Sequence, residues 1–262
     1  MNEARSADGT PIAFERLGAG APVILVGGAL ANRDTLRPTA EALAQQFTVF
    51  VFDRRGRGDS GDTLPYAVER EVEDIGALIT EAGGKASVYG HSSGAGLALH
   101  AAARGLPIDR LVLHEPPYGS DREEDRRGAR EYAEEVRALL AAGRPGDALA
   151  LFMTVTGAPP EAVDKWRTEP WWAPLEAHAH TLAYDSAVMG DLDGGTVPID
   201  LVASVAVPTL VICGEESYEG MVDVGREVAD TLPNARQQIL PGQGHNVPAE
   251  VLAPVLVEFL GG

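Results

Sequence analysis

Residues 88–96 read VYGHSSGAG, with two serines set between glycines. Gly90-His91-Ser92-Ser93-Gly94 fits the pattern Gly-x-Ser-x-Gly, which alone is short enough to arise by chance. Its flanks give it weight. An apolar stretch, ASVYG, runs directly into it, and a run of small residues, SGAGLALHAAARG, runs directly out. A strand, a tight turn and a helix in such quick succession need glycines around the central residue. That residue is held in strained geometry and its neighbours pack closely. Its hydroxyl then projects above the strand ends, at the positive end of the following helix. By spacing the central residue is Ser92, a candidate nucleophile. Ser93 falls one step into the helix, where its backbone N–H faces the same point.

The surrounding pattern repeats the strand signal. PVILVGG, TVFVFDRRG, RLVLHEPP and PTLVICGE are short apolar runs bounded by turn residues. Several are apolar at successive positions, which suits parallel strands buried on both faces. Helical stretches separate them. In YAVEREVEDIGALITEAGG, Val68, Val72, Ile75 and Ile79 fall three or four apart and Gly83-Gly84 supplies a stop. In DTLRPTAEALAQQF, Leu36, Leu43 and Phe47 mark one face behind an Asp34 cap. AEVLAPVLVEFL reads as a closing helix. Alternation of strand and helix predicts an α/β fold with a mostly parallel sheet covered on both sides. The alternation stops after Pro117, and residues 118–200 read as helix, with the strand pattern resuming at about Val202. The expected organisation is a core of residues 1–117 and 201–262, with residues 118–200 as a helical insertion between two strands.

Composition narrows the function. The chain has 39 acidic and 21 basic residues, a formal charge of -18. That disfavours nucleic acid, whose phosphates need a basic face, and anionic membranes. The first twenty residues show no signal peptide, and no apolar run is long enough to span a bilayer. Cys213 is the single cysteine, so no internal disulfide forms. A cytoplasmic protein acting on a small molecule is expected. The sequence is silent on oligomeric state.

A serine hydroxyl needs a base. Of six histidines, His91 lies inside the elbow, its side chain expected to point away. His100 lies on the outgoing helix, His114 at a strand end, and His178 and His180 in the insertion. His245 sits in ILPGQGHNVPAE, a glycine-rich loop between a short strand and the last helix, where catalytic groups concentrate.

Four stretches in this order, VILVGGAL, FDRRGRGDS, YGHSSGAG and LPGQGHNV, resemble the α/β-hydrolase superfamily. The resemblance covers essentially the whole chain. It implies an eight-stranded, mostly parallel sheet with residues 118–200 as a helical cap, Ser92 as nucleophile and His245 as base. Serine rather than aspartate at the elbow argues against a haloalkane dehalogenase or epoxide hydrolase. Two departures stand out. Members commonly carry His-Gly where this chain has Val26-Gly27; the oxyanion donors implied here are the backbone N–H groups of Gly28 and Ser93, with Ala29 as a fallback. The usual acid position after PTLVICGE holds Ser217, and serine does not stabilise an imidazolium as a carboxylate does. Glu115, at the end of RLVLHEPP, is the favoured acid, because a carboxylate at the end of an apolar strand is costly unless paired. Glu216 and Glu215 are the alternatives.

Other motifs carry less. Asp53 is read as fixing the turn of FDRRGRGDS, which lacks the GK[ST] of a phosphate loop. Cys213 reads as a buried strand residue. Trp166, Trp171 and Trp172 either roof the pocket or pack the insertion. The implied activity is hydrolysis of a small to medium ester, lactone or thioester through an acyl-enzyme, without cofactor or metal. The same fold also carries C–C hydrolases, lyases, cofactor-free peroxidases and cyclases, and a ligand-binding receptor is the third reading.

Overall fold

The computed structural model describes residues 1–262. Its strands are β1 (Asn2–Arg5), β2 (Pro11–Leu17), β3 (Ala21–Val26), β4 (Phe47–Phe52), β5 (Ala86–His91), β6 (Ile108–His114), β7 (Thr209–Gly214) and β8 (Ala235–Leu240). They form one eight-stranded sheet in the order β1-β2-β4-β3-β5-β6-β7-β8. β3 to β8 are mutually parallel, whereas β2 runs against both β1 and β4.

The helices on the sheet are α1 (Arg37–Leu43), α2 (Val68–Glu81) and α3 (Ser93–Ala103). Six more, α4 (Glu123–Ala141), α5 (Pro145–Val155), α6 (Pro160–Trp166), α7 (Trp172–Glu176), α8 (Leu182–Met189) and α9 (Ile199–Ala203), lie between β6 and β7 with two 3-10 turns. α10 (Met221–Thr231) and α11 (Ala249–Gly261) complete the chain.

The apolar strand runs bury both faces, and the two-residue period decides which side chain goes where. On β3, Ile24 and Val26 join the core under α2, α3 and α10, while Val23 and Leu25 join the core under α1 and α11. A third, smaller core lies within the helical segment, around Val136, Leu149, Trp172 and Leu182. Val188 and Met189 of α8 pack into the first core rather than the third. They approach so closely because α3 offers small residues: a Cβ at Gly96 would sit 2.7 Å from the Met189 sulfur.

Two local expectations are corrected, and the alternative left open for the tryptophans is resolved toward packing. α1 is shorter than its pattern, from Arg37 to Leu43, with Leu36 at the N-cap and no capping side chain. Pro38 sets the start of the helix, Asp34 lies outside it, and Phe47 belongs to β4. The apolar stretch from Val202 does not begin a strand. Val202 lies in α9, and β7 starts at Thr209. Of the tryptophans, Trp172 is buried in the third core and Trp171 is 41% exposed. None of the three lines the pocket described below.

Candidate active site

Loops at the carboxyl ends of parallel strands converge on one point, as in open α/β sheets generally. Ser92 follows β5 with φ 56° and ψ -128°. Its N–H donates to the His114 carbonyl at 2.9 Å, tying the elbow to the end of β6. The tight turn depends on its glycines. A Cβ at Gly90 would collide with the Gly94 carbonyl, and one at Gly94 with the carbonyls of Val26 and Gly27. Non-glycine residues with positive φ number three in the chain, Leu30, Ser92 and Glu115, and all three follow strands that meet here. Such strain persists only where surrounding structure over-determines it.

Glu115 follows β6 with φ 50° and is fully buried. Its N–H donates to the Ile212 carbonyl at 2.9 Å. One carboxylate oxygen accepts the Gly214 N–H at 2.6 Å and the other accepts the Ser217 hydroxyl at 2.7 Å. The second oxygen also meets His245 Nδ1. Burial pushes this carboxyl up, but the bonds from His245, Ser217 and Gly214 prevail and hold it below the ordinary glutamate range. A carboxylate only accepts, so Nδ1 carries the proton and Nε2 keeps its lone pair. Glu215 and Glu216 are exposed, and Glu215 instead accepts the Gly242 N–H at 3.0 Å. The carboxylate that reaches His245 is therefore that of Glu115.

The His245 loop passes tightly over the end of β7. A Cβ at Gly214 would lie 2.6 Å from the Gly244 carbonyl oxygen. The imidazole is flanked by His91 and Tyr218, with ring centroids 4.8 and 5.1 Å away. His91 does not point away, as its place in the elbow suggested. Its Nε2 donates to the His245 carbonyl at 3.0 Å and its ring lines the pocket. Burial, with the neighbouring His245, pulls the His91 pKa down to about 4, so it stays neutral.

Ser92 and His245 line one cavity of about 510 Å³, with Gly28, Ala29 and Ser93 in the same wall. A Cβ at Gly28 would lie 2.9 Å from the Ser92 Cβ and 3.5 Å from its hydroxyl oxygen. No main-chain acceptor takes up the N–H groups of Gly28 or Ala29. Ser93 opens α3, where the first amides have no partner within the helix. Thr35, Gly128, Val155, Thr156, Tyr218 and Asn246 are the exposed lining residues.

A buried ionic cluster supports this wall. Asp185 on α8 accepts the Ser93 hydroxyl at 2.7 Å, Arg54 at 2.8 Å and Arg57 at 2.7 Å. Glu71 binds Arg54 through both oxygens, at 2.7 and 2.8 Å. Two guanidinium and two carboxylate groups thus neutralise one another where isolated charge would be prohibitive. The motif FDRRGRGDS supplies both arginines. Its Asp53 holds the turn, accepting the amides of Arg33 at 2.7 Å and Asp59 at 2.9 Å. Neither Asp185 nor the role of Ser217 was visible in the sequence. Asp185 meets Ser93 only through the fold, whereas Ser217 stands where the family's usual acid does.

Known proteins agree with the fold. A model of the alpha/beta hydrolase family matches residues 23–255. The chain belongs to that family. The crystal structure of an alpha/beta hydrolase from Sphaerobacter thermophilus is similar over 98% of this chain and 99% of its own, at 53% identity and TM-score 0.87. A thermophilic esterase from Thermogutta terrifontis, solved with malate bound, superposes over 99% of this chain and 97% of its own, at 27% identity and TM-score 0.74. The N-formylmaleamate deformylase of Pseudomonas putida is 40% identical over 104 residues, 38% of this chain. The chain aligns with about two fifths of that relative's length, 39%. No helix is long and apolar enough to cross a membrane.

Proposed function

We propose that this alpha/beta hydrolase cleaves a small to medium ester, lactone or thioester through an acyl-enzyme on Ser92. The observation that carries the reading is the contact between the Glu115 carboxylate and His245 Nδ1, in a cavity that His245 shares with Ser92. His245 Nε2 takes the Ser92 proton as the oxygen attacks the carbonyl carbon. The tetrahedral oxyanion is met by the backbone N–H groups of Gly28 and Ser93, with Ala29 next in line. Collapse breaks the carbonyl carbon to leaving-group bond, and His245 returns the proton to that group. Water repeats the sequence on the acyl-enzyme and frees Ser92. Glu115 holds the imidazole in the productive tautomer and balances the imidazolium. Residues 118–200 act as the cap that encloses the acyl or alcohol group. The relatives' names, hydrolase, esterase and deformylase, are consistent with this chemistry.

The test is intact-mass analysis after fluorophosphonate treatment, beside turnover of p-nitrophenyl acetate and butyrate. Wild type should gain one adduct and turn over both esters, and Ser92→Ala should do neither. An adduct without turnover of any ester, lactone or thioester would overturn hydrolysis in favour of another reaction at the same serine. No adduct would overturn the nucleophile itself.

A further inference from the structure

The cavity is lined by no lysine and no arginine. Two carboxylates do line it, Asp185 and Asp191. Asp185 is fully engaged by Ser93, Arg54 and Arg57, and these arginines and Glu71 leave the cluster without net charge. Asp191, in the 3-10 turn after α8, forms no ion pair. The nearby Ser186 hydroxyl favours its charged form. Around it stand Gly195, whose added Cβ would lie 2.9 Å from an Asp191 oxygen, and the Tyr132 ring of α4, raised in pKa by burial and then by Asp185 and Asp191. The neighbouring cation, Arg126 of α4, packs on Gly194 and pairs outward with Asp121 at 2.8 Å.

Resting on the hydrolase reading, we infer that Asp191 is a substrate-binding residue and that the cavity takes ammonium-bearing substrates while rejecting carboxylates. A carboxylate ligand would meet the Asp191 charge with no cation in the lining to offset it, whereas an ammonium group would neutralise it. The chain's charge of -18 adds a long-range field of the same sense. Asp191 in the free protein is also an unfavourable residue to keep. Burial, then repulsion from Asp185 against the Ser186 bond, raises its pKa to about 7. A positive ligand relieves that penalty, so binding should favour the ionised form.

Calorimetric titration with pentyltrimethylammonium and with hexanoate at pH 8 tests this directly, because neither probe needs Ser92 chemistry. The cation should bind about tenfold more tightly or better, a preference that one partly buried charge pair can supply. Asp191→Asn should erase that preference. In wild type, the cation's affinity should rise as pH increases through about 7, while that of the neutral 1-hexanol stays flat. Equal or tighter binding of hexanoate, or a cation preference undiminished in Asp191→Asn, would overturn the inference. Fluorophosphonate labelling run in parallel reports on the hydrolase reading separately. Loss of labelling with the cation preference intact sinks only the reaction, and the reverse pattern sinks only the role of Asp191.

Discussion

Glu115→Gln is the substitution that tests the site most sharply, because it preserves shape and removes one property. The backbone at Glu115 already adopts φ 50°, and glutamine meets the same conformational cost as glutamate. The side-chain carbonyl of glutamine can take the place of the oxygen that accepts the Gly214 N–H at 2.6 Å. Its NH2 then faces Ser217 and His245. The Ser217 hydroxyl can rotate and accept. His245 Nδ1 can remain beside an N–H donor only by giving up its own proton, which moves to Nε2. That tautomer has no lone pair for the Ser92 proton. The loss expected from the wrong tautomer is about 10³- to 10⁴-fold in kcat, roughly 4 to 5 kcal/mol of barrier. Stopped-time hydrolysis of p-nitrophenyl butyrate measures it, with the melting temperature as control. The carboxylate in the family's usual slot can also be restored: Glu115→Ala combined with Ser217→Asp should recover activity over Glu115→Ala alone, since Ser217 sits 2.7 Å from the oxygen that meets His245. Activity within tenfold of wild type in Glu115→Gln, with a large loss in Glu216→Gln, would refute the assignment.

Further outcomes follow from the surroundings of the site. Asp185→Ala takes from the buried Arg57 its one close carboxylate, leaves Arg54 with Glu71 alone, and should destabilise the chain by about 3 to 5 kcal/mol, read as a shift in the urea midpoint; a change under about 1 kcal/mol would deny the cluster its role. Gly28→Ala places a methyl 2.9 Å from the Ser92 Cβ, and Ser92 labelling should slow by about a hundredfold or more, with a loss of stability of about 1 to 3 kcal/mol from the local overlap. Stability should decline in acid. His91, with a folded pKa of about 4, and His114, also depressed by burial, take up protons mainly on unfolding. Their contribution is complete above about pH 6.5 and is lost as pH falls toward 4, with His91 worth at most about 3 kcal/mol. Urea titrations at pH 4.5 and 7.5 should show that slope, and His91→Gln should flatten it.

Five of the six parallel strands, β3 to β7, were legible because burial on both faces writes itself as unbroken apolar runs, whereas β8, the largely polar ARQQIL at the sheet edge, was anticipated only as a short strand before the His245 loop. β1 and β2 were not. β1 is the four residues NEAR at the sheet edge, and charges interrupt the apolar positions of β2. The stretch VASVAVPTL was ambiguous for a different reason: short apolar runs suit helix and strand alike, and Val202 is buried in the helix it joins. Ser92 and His245 were readable because their loops are defined locally by glycine and by neighbouring elements. Glu115 was readable only as an anomaly, a charge ending an apolar strand. Asp185 gave no such sign. Its meaning lies in a contact across 92 positions of sequence, and within α8 it looks like any helix aspartate.

The strain at Glu115 has the same origin as the unusual place of the acid. A carboxylate carried by β6 must reach across the end of β7 to meet a histidine loop that follows β8. Extended backbone beyond His114 would alternate the next side chain onto one face of the sheet, into a core rather than along its edge. A left-handed residue turns the chain there instead, at a cost of about 1 to 2 kcal/mol for a non-glycine. Glycine would remove that cost and the carboxylate together, so the site holds a strained glutamate. The restraint comes from the same contacts that serve the chemistry: the Glu115 N–H on Ile212, and the Gly214 amide and Ser217 hydroxyl on its carboxylate. Under the proposed mechanism Ser217 thus matters as a donor that aims a carboxylate supplied from the neighbouring strand. Ser217→Ala should therefore weaken catalysis by loosening Glu115, by about tenfold and far less than Glu115→Gln, and should leave Ser92 labelled at a reduced rate rather than unlabelled. Equal losses in the two variants would mean that Ser217 touches the reacting groups itself.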